Sequence, residues 1–186
     1  MTLRGISIMN YLFSPIESEG QLLEAVTYVH KACHELCLQV TSEYLPVAGN
    51  IGIFTHYDQE FQFLAALRQK LTDETVHYNH KYFKLLTPIR IEAQDGVPAA
   101  TYEYLYIRKP DPYRSQVGDV DFIMDPQKHQ VFSQSLLAGE FTKGARRFER
   151  VEENMIELWN PDVDVLPYIV TQPMSDTIAS SKVASK

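Results

Sequence analysis

The stretch from Tyr82 to Met124 constrains the fold most, because three strand-like runs follow one another within it. Tyr82–Ile91 (YFKLLTPIRI), Thr101–Lys109 (TYEYLYIRK) and Val117–Met124 are rich in β-branched and aromatic residues. Gly96 and Pro98 separate the first pair, and Pro110 and Pro112 separate the second. An all-helical chain is thereby excluded. Successive strands with turn residues between them imply a largely antiparallel sheet.

Helical patterns surround this block. Leu22, Val26, Val29, Cys33, Leu36, Cys37 and Val40 recur at three- and four-residue spacing, which predicts a helix over Ser18–Val40. Ser18 and Gln21 have the spacing of a capping box. A strand over Asn50–Thr55 and a helix over Asp58–Leu71 follow, and Thr72–His80 reads as a polar connection. Asp125-Pro126 opens a third helix ending near Gly139. Ala145–Val151 and Met155–Trp159 read as strands, with a short segment at Val163–Ile169. The expectation is one α+β domain over residues 1–172, its mostly antiparallel sheet curved and covered by helices. Residues 173–186, small and polar, are expected to be disordered.

The chain has 186 residues and a formal net charge of −7. An acidic surface repels phosphate backbones, so nucleic acid is not an expected partner. No apolar run reaches the roughly 20 residues that span a bilayer, so no membrane association is expected. The N-terminus has a short apolar stretch but lacks the long one and the small-residue cleavage site of a signal peptide, and a cytoplasmic location is the default. Cys33 and Cys37, the two cysteines, are too few for a disulfide framework. Phosphate-binding glycine loops, the Gly-x-Ser-x-Gly elbow, Cys-x-x-Cys and His-Glu-x-x-His are all absent from the sequence.

Three stretches carry a resemblance: Ala48-Gly49-Asn50-Ile51-Gly52-Ile53, Phe83-Lys84-Leu85-Leu86-Thr87-Pro88-Ile89, and Val117-Gly118-Asp119-Val120-Asp121-Phe122-Ile123. In order and rough spacing across Gln21–Leu166 they resemble the vicinal oxygen chelate (glyoxalase/bleomycin-resistance/dioxygenase) superfamily. Within it, they resemble the YecM-like bacterial proteins. The resemblance implies paired βαβββ modules whose sheet curls around a pocket, with any metal held there by His and Glu. The sequence departs from that pattern. Asn50 stands where the family tends to have His in the first strand, and Asp119 and Asp121 stand for a His-x-Glu pair.

Asp119 and Asp121 alternate onto one side of a strand, where two carboxylates can bind a divalent metal or form an acid pair. Glu157 is a further candidate metal ligand. The alternative is that both aspartates face solvent or pair with Arg108, Arg114 or Arg146. Tyr102, Tyr104 and Tyr106 are spaced to share one face of their strand and, with Asn50 and the aspartates, to line a ligand pocket. They equally suit a sheet–helix core. His30, Cys33, His34 and Cys37 lie on adjacent helical turns, but the cysteines fall in the apolar stripe and the histidines at its edge, so core packing is expected. His56, His77 and His80 read as surface residues, with a metal role as the alternative should they converge, and Arg108–Arg114 as a stiff charged connection, with a recognition surface as the alternative.

Three functions are compatible with these residues. One is a small-molecule-binding domain of vicinal-oxygen-chelate type with altered metal ligands. Another is a metal-dependent enzyme using Asp119 and Asp121. The third is a structural or interaction protein forming a homodimer.

Overall fold

A computed structural model describes residues 11–78, 81–139, 144–150 and 153–184. Helix α1 (Glu19–Thr41) begins where expected, with Ser18 Oγ accepting from the Gln21 amide and the Gln21 side chain accepting from the Glu17 amide. Strand β1 (Val47–Phe54), helix α2 (Asp58–Leu71) and strands β2 (Thr72–Tyr78), β3 (Tyr82–Ile91), β4 (Ala100–Arg108) and β5 (Gly118–Ile123) follow. Then come helix α3 (Pro126–Leu137), strands β6 (Ala145–Arg150), β7 (Glu153–Leu158) and β8 (Tyr168–Val170), and helix α4 (Met174–Ala184). Asp125 caps α3 by accepting from the amides of Gln127 and Lys128. The class is α+β.

The eight strands form one open sheet in the order β2-β3-β4-β1-β5-β8-β7-β6. A repeat absent from the sequence shows in this topology. The unit β1-α2-β2-β3-β4 has its first and last strands paired in parallel, with the two middle strands added antiparallel outside them. The unit β5-α3-β6-β7-β8 repeats that arrangement. The units meet where β1 and β5 pair antiparallel. The structure thus contains two βαβββ units.

Two expectations are corrected. Thr72–Tyr78, read as a connection, is strand β2. Among the described residues it forms a sheet edge and pairs with β3 alone, so it needs no alternating apolar pattern, and polar residues suit an edge. The C-terminal residues expected to be disordered instead form α4 through Ala184. Its sequence has no continuous apolar stripe, but Met174 and Ile178, one turn apart, are buried against Tyr104.

The main core lies between the sheet and helices α1, α2 and α3. Ile51 and Ile53 of β1, Leu105 and Ile107 of β4, Val120 and Phe122 of β5, and Ile156 and Leu158 of β7 all join it. The alternate residues of those strands point away from this core. They build the site face.

Candidate functional site

On β1 the alternate residues are Asn50, Gly52 and Phe54; on β5 they are Asp119 and Asp121; on β7, Met155 and Glu157. Registers place them in two rows across the sheet. In one, Tyr82 pairs with Tyr106, Tyr106 with Gly52, and Gly52 with Asp119. In the other, Asn50 pairs with Tyr104, while Asp121 pairs with Tyr168 and Tyr168 with Glu157. Two small apolar clusters flank this polar strip. Phe54, Met155, Leu166 and Tyr168 make one, and Tyr104, Met174 and Ile178 the other.

The polar members are deeply placed: Asn50 and Glu157 are 0 % exposed, Asp121 4 % and Asp119 6 %. Asn50 Nδ2 donates to Asp121 Oδ2 at 2.9 Å. Glu157 Oε1 is paired with the Arg146 guanidinium. Asn50 Oδ1 and Glu157 Oε2 are buried with no hydrogen-bond partner. Such orphans cost about 1–3 kcal/mol each.

Gly52 explains how Asp119 fits. A Cβ at that position would lie 1.9 Å from Asp119 Oδ1 and 3.3 Å from the Tyr106 ring. The carboxylate therefore lies over the β1 backbone in space that any other residue would fill. Gly118 is equally tight, its absent Cβ falling 2.1 Å from the Gly52 carbonyl oxygen.

The tyrosine hydroxyls respond to this setting. Burial pushes Tyr82 well above its usual pKa, the Asp119 and Asp121 charges push it further, and a hydrogen bond from Asn50 partly offsets them. Burial also raises Tyr168, with Asp119 and Glu157 adding to the effect and Arg114 opposing it. Both phenols stay protonated at neutral pH, so they are donors rather than nucleophiles.

Asn50, Asp119, Asp121, Tyr104 and Tyr106 therefore share one face. Tyr102 does not join them. Opposite β4, strand β3 shifts register between Lys84 and Ile89, and across that shift Tyr102 packs into the main core. Its hydroxyl lies 2.9 Å from His30 Nδ1 on α1. Strict alternation fails at the bulge, which is why the three-tyrosine row is corrected to two. Tyr104, paired with Asn50, packs against Met174 and Ile178 of α4, while Tyr106 is paired with Gly52. Tyr82, Tyr168 and Gly52 belong to the site and were not singled out from the sequence; the signal available was one aromatic at alternate positions on successive strands.

Among the described residues, no group of three His, Cys, Asp or Glu side chains is arranged to hold a metal ion. The combination of Asp119, Asp121 and Glu157 does not form one. Glu157 is two strands from Asp121 in the sheet order, and one of its oxygens is taken by Arg146.

The other candidates resolve into structural roles. Arg108 and Arg114 both pair with Asp111 inside their own loop, at 2.7 and 3.8 Å. Cys33 and Cys37 are buried, and burial raises both thiols. His30 and His34, placed by the sequence at the edge of the stripe, are buried within it. Burial and the neighbouring His34 lower His30 to about 4. His56 is stacked on Tyr11 at 3.9 Å and bonded to Ser14 Oγ, which itself donates to Glu60. Glu60 also accepts from the Ile16 and His56 amides, tying the first described residues to the start of α2. The side chains of His77 and His80 lie outside the described residues.

Among the described residues, no helix is long and apolar enough to cross a membrane. Compared with known proteins, the chain matches no family model, no curated protein and no solved structure at significant similarity.

Proposed function

We propose that this protein is a small-molecule-binding domain whose ligand lies on the polar strip of Asn50, Asp119, Asp121 and Tyr106. One observation carries the reading: Asn50, Asp119, Asp121 and Glu157 are buried polar side chains on the sheet face opposite the main core, and Asn50 Oδ1 and Glu157 Oε2 have no partner. Aromatic walls with a few convergent polar groups are what a small organic ligand needs. Gly52 fits the same reading, since its missing Cβ leaves the space in which Asp119 Oδ1 lies. The two βαβββ units support a vicinal-oxygen-chelate type of architecture, with Asn50, Asp119 and Asp121 at the altered ligand positions.

The test is a thermal-shift screen of the full chain against a metabolite library of mixed charge, repeated on Gly52→Val. Hits that stabilise the native chain and lose their effect in a folded Gly52→Val support the reading. If no compound stabilises the native chain, or if every hit is unaffected by the substitution, the strip is not the ligand site. The same sample answers the metalloenzyme alternative. Elemental analysis by mass spectrometry that finds a near-stoichiometric transition metal, lost in Asp119→Ala, would replace the binder with an enzyme.

A further inference from the structure

We propose that helix α4 is an autoinhibitory cover: Met174 and Ile178 occupy the apolar side of the ligand site, and a ligand binds the strip only when α4 is released. This rests on the binding role proposed above and adds how that site is opened and closed.

Access is the first argument. Asn50 is fully buried, and Asp119 and Asp121 are nearly so. A ligand therefore reaches them only by displacing part of what lies over the strip. Helices α1, α2 and α3 pack with the main core on the opposite side of the sheet, so their movement uncovers nothing here. The cluster of Phe54, Met155, Leu166 and Tyr168 is built on paired strands and on a residue bonded to β5, and shifting it would break sheet pairing. Among the described residues, α4 is the cover that can lift with every strand pair intact.

Its position fits that role. The chain leaves β8 in the second unit, passes Thr171, Gln172 and Pro173, and enters α4, which lies against β1 and β2 of the first unit. In the sheet order those strands flank β4 and β3, so the helix crosses the first unit. Met174 and Ile178 are buried there against Tyr104, with Tyr82 packed beside them. Both tyrosines adjoin the strip: Tyr104 pairs with Asn50, and Tyr82 is hydrogen-bonded to it. The second unit is built differently. Tyr168 pairs with Asp121 as Tyr104 pairs with Asn50, yet Tyr168 is covered by strand residues and Leu166 rather than by a helix from the end of the chain.

The attachment is small. Ser175, Asp176, Ala179 and Ser180 are exposed, leaving Met174 and Ile178 as the anchors. Hydrogen bonds at the helix start are local and travel with it. Gln172 Nε2 donates to Thr177 Oγ1 at 3.1 Å, and the Asp176 and Thr177 amides donate to the Pro173 carbonyl. An element held by few buried apolar contacts opens at low free energy. Two apolar side chains resting on aromatic rings are also what the apolar part of a ligand can replace. A ligand that binds only with α4 off then shifts the helix toward its released state.

Hydrogen exchange read by mass spectrometry on the full chain, with Nile red as an apolar probe, tests this. In the native chain the amides of α4 are expected to exchange at least tenfold faster than those of β1 and β4. The double variant Met174→Ser/Ile178→Ser should speed α4 at least tenfold further and bind Nile red at least tenfold tighter, with β1 and β4 as protected as before. Should it not fold, Ile178→Ala gives the same readouts with smaller changes. Exchange of α4 no faster than that of β4, or no added dye binding in a folded variant, would overturn the cover. Compounds that stabilise the native chain in the metabolite screen are expected to speed exchange of α4. A stabilising compound that leaves α4 equally protected keeps the small-molecule reading and overturns the release of α4. If α4 opens and takes up dye but no compound stabilises the chain, the strip is not a ligand site, and autoinhibition falls with that reading.

Discussion

The two faces of the sheet are made by the same strands and obey opposite rules. On the side of α1 to α3, residues such as Ile51, Val120, Phe122, Ile156 and Leu158 are apolar and fully buried. One residue along each strand, the other face carries Asn50, Asp119, Asp121 and Glu157, also buried but polar. Burial alone therefore does not mark a stabilising residue. On the first face, burial removes apolar area from water and fills space. On the second, it strips solvent from charged and amide groups and leaves some of them short of partners.

This contrast can be broken by mutation. The largest effect is expected from Phe122→Ala on the core face. Its ring is fully buried and meets His34 edge-on with centroids 4.9 Å apart. Denaturant unfolding should show a loss of about 3–5 kcal/mol. A loss below about 1 kcal/mol would mean that the core face is not the main source of stability.

The second effect is pH-dependent and comes from α1. His30 is held near 4 against a usual value of 6.5, chiefly by burial and also by His34. The unfolded chain therefore binds a proton that the folded chain refuses. Stability from this group is complete above about 6.5 and declines as pH falls toward 4, by about 3 kcal/mol in all. His34, His56 and His129 are also lowered, in each case mainly by burial, and act in the same direction. Chemical denaturation at pH 7 and pH 4.5 measures it. Equal stability at the two would refute the buried neutral His30. Core histidines thus give the apolar face a sensitivity to acid that its aliphatic residues lack.

The smallest effect sharpens the comparison from the other side. Asp119→Asn keeps the shape and removes a buried carboxyl group, and is expected to change stability by less than about 1 kcal/mol or to raise it. A loss above about 3 kcal/mol would show that the carboxylate is a structural anchor and would count against a ligand role.

Much of the framework was legible in the chain. The spacing of Leu22, Val26, Val29 and Cys33 placed α1, and Asp125-Pro126 placed α3, because caps and apolar periodicity are local signals. Asp119 and Asp121 were legible as a pair, since alternation along a strand places them on one face. Edge strand β2 was not, because a strand with one neighbour among the described residues needs no apolar alternation. Helix α4 escaped for a related reason, since two buried residues, Met174 and Ile178, suffice to dock it.

What the sequence by itself determined is therefore the local order of helices and strands and the pairing of side chains two apart on one strand. Tertiary structure decided which strands became neighbours, and so that Gly52 of β1 would face Asp119 of β5 and that Asp121 would receive Asn50. It also decided that Tyr102 would leave its row, through a register shift set by the partner strand. These are contacts between residues tens of positions apart. Their geometry depends on the register and curvature of the whole sheet, which no local window of the chain encodes.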